Sequence, residues 1–394
     1  MRFLVPLALL VVALPATAAE PLVEKYLHSG QLVLGEQVLE RELKKNPKDD
    51  QLRFGLGVIR LVMGIERLSQ TLHEYGSKTS AGGIDLLGGL PVPPNPEPNA
   101  ITYKKFRSLL DDGRRGLLAV DATLAGITDD NVKLPLRLAK IKLDLDGDGK
   151  ATDELTTVLN RFLGRRADFL AKNGDFLVHF DRGDVAWLRS YCHVAAAAMD
   201  AVLSVDFQTE FEHNESGGFP KVLPKFTGTP EERRTILAES RTKLRIAEPA
   251  RLGRVREHFL EVAKLNREAW RHIRAETDDD HEWLPNAKQT SVIGLPVRDA
   301  MIDGWLETMD EFEKLLEGKH LLPIGLLFRD EKRGFNVKTF FESPPAAIEL
   351  QKLGAGGIDE KYLEKGTLSD FGKLIRVAQL FDPGSAGMYM AYFN

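Results

Sequence analysis

Apolar residues recur at helical spacing over most of this chain. Between residues 21 and 75 they fall three and four apart, which predicts helical hairpins over 20–75. The pattern breaks at Asn46-Pro47, where proline cannot continue a helix and biases its predecessor out of the α region. It lapses again over 76–99, where glycines give way to Pro91, Pro93, Pro94, Pro96 and Pro98. Proline at that density favours extended backbone and excludes helix, so a loop or linker is expected there. Helical periodicity resumes at Tyr103, with Phe106, Leu109, Leu110, Leu117, Leu118 and Leu124 on one stripe. The segments LPLRLAKIKL (134–143) and DELTTVLNRFLGRRADFL (153–170) also read as helices.

Downstream, GDVAWLRSYCHVAAAAMDAVLSVDF predicts a long helix with Asp184 as its N-cap, its four alanines allowing close packing. Further helices are expected at about 230–247, 250–275 and 298–317. In the last, Met301, Trp305, Met309, Phe312 and Leu316 share a face and Gly318 ends it. Past 319 the character changes. Two apolar runs flank a polar, Gly334-containing turn, which predicts a β-hairpin, and TLSDFGKLIRVAQLF predicts a final helix. The fold class is therefore mainly α: a bundle or solenoid-like helical architecture with a small late hairpin. The expected divisions are 1–19, 20–75, 76–99, 100–318 and 319–394.

The first division reads as a leader. Arg2 precedes an apolar run from Phe3 to Leu14, Pro15 breaks it, and Ala16-Thr17-Ala18-Ala19 supplies a small-residue cleavage pattern. The run is too short to span a bilayer, which needs about 20 residues. An exported chain starting near Glu20 is expected. Loss of Arg2 takes the formal charge from -5 to -6, and this mixed, mildly acidic balance offers no basic face for nucleic acid. Cys192 is the sole cysteine, so no intrachain disulfide can form and stability must come from the core or from metal. Within an apolar helical run it reads as a buried, inert thiol; His193, its neighbour, points about 100° away on a helix.

The most specific chemistry lies in LDLDGDGKATDEL, residues 143–155. Calcium takes six to eight oxygens, supplied at alternate positions of a tight turn. With Asp144 as the first position, Asp146 and Asp148 are the third and fifth, and Gly149 stands where the backbone must turn sharply. Lys150 would offer its carbonyl with its side chain turned away, and Thr152 would bind directly or through water. The twelfth position is Leu155 rather than glutamate, leaving Asp153 or Glu154 as the closing acid, with Glu154 favoured for reach. The stretch resembles an EF-hand loop with a shortened exit of the excalibur type. That resemblance implies Ca2+ as cofactor and a helix–loop–helix frame. A fainter resemblance covers 21–75: Tyr26, Gly30, Leu39 and Pro47 fall at tetratricopeptide spacing, and Leu56, Gly57 and Gly64 at matching places of a second unit, Gly30 and Gly64 being 34 residues apart.

Transition-metal patterns are weaker. Glu210 and His213 form an E-x-x-H pair with no second copy, Glu268 and His272 are four apart, and Asp278, Asp279, Asp280, His281 and Glu282 form an acidic-histidine run. Nucleophile-elbow, zincin and P-loop patterns are absent from the sequence. Two functions follow. One is an exported calcium-binding helical scaffold or binding protein, with calcium as a structural clamp and a peptide or protein held in a helical groove. Trp270, Trp283 and Trp305 would line such a groove or serve as buried anchors. The other is a metal-dependent hydrolase, which requires Glu210 and His213 to meet members of the 268–282 group in one pocket.

Overall fold

The structure is a computed structural model describing residues 20–77, 90–163, 174–213, 218–324, 333–354, 357–380, 389 and 392–393. The expected leader, most of the 76–89 segment and the exit of the helix after the aspartate loop lie outside them. The chain is mainly helical with small β elements. Its helices are α1 (Leu22–Ser29), α2 (Leu32–Lys45), α3 (Asp50–Glu74), α4 (Tyr103–Leu124), α5 (Leu155–Leu163), α6 (Arg182–Ser204) and α7 (Gln208–His213). They continue as α8 (Pro230–Ser240), α9 (Pro249–Ala275), α10 (Asp299–Leu316), α11 (Val337–Glu342), α12 (Leu350–Gly354) and α13 (Phe371–Ala378). Among the described residues no helix is long and apolar enough to cross a membrane.

Local chemistry sets the helix ends. Gly30 closes α1 at φ +66, its N–H and that of Gln31 returning to the carbonyls of Leu27 and Tyr26. Asp49 caps α3 by accepting from the Leu52 N–H, and Thr102 caps α4 by accepting from the Lys105 N–H. The tetratricopeptide-spaced Gly30 and Pro47 fall at the two turns of the N-terminal helices, whereas α3 stays helical through Gly64.

The helices stack in series, α2 on α3, α3 on α4, α4 on α6, α6 on α9 and α9 on α10, with α6–α9 the most extensive pairing. Ala196, Ala197, Ala263 and Ala269 are buried within α6 and α9, and small side chains at a crossing let two axes approach closely. One continuous apolar cluster runs from Val23 in α1 through Trp270 and Ile302 to Phe393. Trp270, Trp283 and Trp305 are all buried in it, as anchors. Cys192 is buried too, and burial pushes its thiol up to about 12.

Short strands fasten the helices. β1 (Ile101–Thr102) pairs in parallel with β7 (Val222–Leu223); β2 (Leu134–Arg137) pairs antiparallel with β5 (Leu177–Phe180), and β3 (Lys142–Leu143) with β4 (Asp153–Glu154). β8 (Lys243–Ile246) lies between β6 (Val205–Asp206) and β11 (Ala347–Glu349). β10 (Arg333–Phe335) lies between β9 (Leu322–Pro323) and β12 (Leu363–Lys365). The antiparallel pairing expected near Gly334 is present, but Gly334 sits within β10 rather than in the turn.

Three expectations are corrected. Residues 134–143 form β2, a 3-10 turn (Leu138–Lys140) and β3 instead of a helix, because Leu134, Leu136 and Leu138 are buried at a period of two. The aspartate loop is therefore entered from a strand. The helix expected at 230–247 stops at Ser240, and Lys243-Leu244-Arg245-Ile246 alternates exposed and half-buried positions as a strand. The N-cap of α6 is Asp181, one turn before Asp184. Its side chain accepts from the N–H groups of Gly183 and Asp184, while the Asp184 side chain accepts from the Asp181 N–H, a reciprocal capping box.

Candidate metal centres

The aspartate loop is closed by its own hairpin. Lys142 pairs with Glu154 and Leu143 with Asp153, so residues 144–152 are held in a tight arc. Buried Leu143 and Leu145 anchor one side while Asp146 and Asp148 face solvent. Asp144 Oδ1 accepts from the Gly147 N–H at 2.7 Å and its Oδ2 from the Gly149 N–H at 3.0 Å. Both glycines have positive φ, +79 and +84, which a side chain would strain. Asp146 and Asp148 each accept from the N–H two residues on, at 3.1 and 2.8 Å. One carboxylate oxygen from each of Asp144, Asp146 and Asp148 lies within 4.8 Å of the others.

The remaining predicted ligands divide. Asp153 turns over the loop, its Oδ2 accepting from the Leu145 N–H at 3.2 Å. Glu154 faces away: it pairs with the Lys142 ammonium at 2.9 Å and accepts from the Thr156 hydroxyl. Lys142 holds the Glu154 carboxyl below the usual glutamate range. The Lys150 carbonyl accepts from the Thr152 N–H at 2.8 Å. Its side chain does not turn away: the ammonium lies 3.3 Å from Asp148 Oδ2. The backbone N–H and ammonium of Lys150 together hold the Asp148 carboxyl low. Thr152 is exposed at the end of the arc.

Helix α3 grips the start of the loop, and no sequence motif announces that grip. Glu66 Oε2 accepts from the Asp144 N–H at 2.8 Å, the Gln70 amide donates to the Asp144 carbonyl at 2.8 Å, and the buried Ser69 hydroxyl donates to the Leu145 carbonyl at 3.0 Å. Burial raises the Glu66 carboxyl, and the charge of Asp144 adds to the rise. On the other side Gly30 abuts Ala151; a Cβ at Gly30 would stand 2.1 Å from that of Ala151. The arc is thus wedged between α1 and α3 and leads directly into α5.

A second acidic group lies where α6 begins and α9 ends. Oxygens of Asp181, Glu276 and Glu282 come within 4.8 Å of one another. Asp184, 3% exposed, stands behind them, and its Oδ1 has no hydrogen-bond partner. Burial raises the Asp184 carboxyl well above its ordinary value, reinforced by the charges of Asp181, Glu276 and Glu282. Burial and then Asp181 push Glu276 up to about 9; burial, with Asp181 and Asp278, pushes Glu282 up to about 7. Glu276 also lines an open cleft of about 400 Å3 with Arg274, Asn286, Lys288, Asp299 and Asp303.

Beside this group, Asp280 bridges two histidines, accepting His179 Nδ1 at 2.9 Å and His281 Nδ1 at 3.0 Å. The two rings lie 5.2 Å apart, and His281 adopts φ +62. The other expected metal residues are placed elsewhere. His213 is bonded to the Thr209 carbonyl and packs on Phe226. Glu268 pairs with Arg182, and His272 contacts Arg271 and Asp130. Asp278 pairs with Lys133, and Asp279 accepts from Thr290. Among the described residues, neither Glu210 nor His213 belongs to a group with ligand atoms this close.

The far end of the α6–α9 pair carries a contrasting buried acid. Asp200, 0% exposed, receives Arg251 at 2.7 Å and Arg254 at 3.2 Å, with Arg114 at 3.7 Å and His258 at 3.5 Å. Burial favours its neutral form, but His258, Arg254 and Arg251 outweigh that and hold the carboxyl well below the usual range. His258 Nδ1 meets His193 Nδ1 at 2.9 Å, and His193 reaches Asp121 on α4.

No family model, curated protein or solved structure matches this chain.

Proposed function

We propose that the chain is an exported, calcium-binding helical protein in which the 144–154 loop is a structural clamp. The observation that carries the reading is the convergence of Asp144, Asp146 and Asp148 on an arc already folded by its own N–H groups. Three carboxylates held at such spacing repel one another, and a hard dication relieves that repulsion while gaining oxygen ligands. Asp153, turned over the arc, is the closing acid of the proposed set, with the Lys150 carbonyl and Thr152 completing it. Bound there, the ion would tie α1, α3, the β3–β4 hairpin and α5 together. The leader pattern at 1–19 supports export, into a compartment where calcium is abundant. The helical body would hold a peptide or protein partner in a groove.

The hydrolase reading needs Glu210 and His213 beside the 268–282 group, and that constellation is not formed among the described residues. Thermal melting of the full chain from Glu20 onward tests the clamp. A chelator should lower the melting temperature and added calcium should restore it; at a hundredfold excess over Kd the ion contributes about 2.7 kcal/mol per site. Asp146→Ala should reproduce the chelator's effect at the loop. Unchanged calcium affinity in that variant would remove the ligand assignment.

A further inference from the structure

We propose that Asp181, Glu276 and Glu282, backed by Asp184, form a second cation site, for a hard divalent ion of the calcium or manganese class. The donor set is all oxygen, which suits such ions and not soft or imidazole-seeking ones. Each carboxylate is steadied through one oxygen. Asp181 Oδ1 accepts from the Gly183 and Asp184 N–H groups, Asp184 Oδ2 from the Asp181 N–H, Glu276 Oε2 from the Gln289 amide and Glu282 Oε1 from the Asp280 N–H. Asp181 and Glu276 also meet side chain to side chain, a contact whose shared proton a cation would displace, and Asp184 Oδ1 has no partner. A site whose ligands are oriented by outer hydrogen bonds and whose inner oxygens converge is pre-organised for an ion.

Asp184 is the independent pointer. Its Oδ1 is buried with no partner, and leaving a buried oxygen unsatisfied is costly, more so when it is charged. The charges of Asp181, Glu276 and Glu282 act on Asp184, while Lys133, the cation acting on Glu282, is already paired with Asp278. A dication among these oxygens supplies the missing countercharge. Glu276 also borders the open cleft shared with Asp299 and Asp303, so the group has one ligand at solvent. Asp181 caps the start of α6 and Glu276 follows the end of α9, so the ion would staple the most extensive helix pair of the fold.

Trp283, next to Glu282 in the chain, provides a local reporter. Terbium, a luminescent hard-cation stand-in, should show tryptophan-sensitised emission with full-length chain carrying Asp146→Ala, which disables the loop. Calcium and manganese should each displace it. Glu282→Gln and Glu276→Gln, made singly in that background, should weaken the displaced binding at least about tenfold. Far-ultraviolet circular dichroism identifies any variant that has failed to fold, in which case the other glutamate variant decides. Absence of terbium, calcium and manganese binding to folded Asp146→Ala protein would overturn the site. Binding undiminished in both glutamine variants would overturn it equally.

Discussion

The two ends of the α6–α9 pair hold the same kind of residue in opposite circumstances. Asp184 and Asp200 lie on one helix, and both are buried. Asp200 meets two guanidiniums within 3.2 Å, with a third and an imidazole just beyond. Asp184 meets carboxylates, and one of its oxygens meets nothing. Burial penalises both charges equally in kind; the partner decides whether the carboxylate stays ionised or is driven toward its neutral form. One end of the helix pair is closed by arginine from within the chain, and the other gathers acids that either hold protons or, in the proposed second site, take an ion from outside.

The most forceful way to break this contrast is to remove each acid in turn. Asp200→Ala leaves Arg251, Arg254 and Arg114 without their buried partner, and should cost about 3–5 kcal/mol in urea denaturation. Asp184→Asn in metal-free protein replaces a carboxyl already driven toward neutrality with a neutral amide and keeps an acceptor for the Asp181 N–H, so its cost should stay under about 1 kcal/mol or reverse sign. Equal losses at the two positions would mean that the partners do not matter as described.

Acid titration of stability sharpens the same point. Asp200 has a folded pKa below its unfolded value of about 3.9. Its contribution is therefore complete above that unfolded value and is lost as pH falls through the folded one. The wild-type chain should lose stability more steeply below about pH 4 than Asp200→Asn does, with Arg251, Arg254, Arg114, Asp111 and His258 as the facing groups. Parallel acid limbs in the two proteins would contradict it.

The aspartate loop gives a third environment, exposed and locally satisfied, where effects should be smaller. Asp153→Asn should weaken calcium binding at the loop by about tenfold or more, measured by calorimetry, because Asp153 is the acid turned over the arc. Glu154→Gln should change it by less than about threefold, since Glu154 is spent on Lys142. The same substitution should cost less than about 1 kcal/mol of stability, as an exposed cross-strand pair. A larger calcium effect at Glu154 than at Asp153 would restore the sequence-based preference for Glu154.

What was legible in the sequence follows from how far apart the cooperating residues lie. The long helices α3, α4, α6, α9 and α10 carry apolar stripes that local periodicity reveals. The aspartate loop is legible because its carboxylates and turning glycines fall within about ten residues and one backbone arc organises them. Segments 134–143 and 243–246 mislead because short apolar runs look alike as strand and helix until pairing with β5 or β6 and β11 decides. The interior acid group is assembled from 181–184 and 276–282, and nothing local joins them. The Asp181-x-x-Asp184 spacing announces a capping box at most. Glu66, Ser69 and Gln70 look like ordinary helix surface until α3 meets the loop.

In the proposed function, oxygen-bound calcium at residues 144–154 holds the helices around it together. Melting curves of the chain from Glu20 onward, wild type and Asp146→Ala, in chelator and in excess calcium, test it most directly. A calcium-dependent rise in the wild-type melting temperature is expected, reduced but not abolished in Asp146→Ala, where the proposed interior site would still bind. Identical wild-type curves in chelator and in calcium would contradict it.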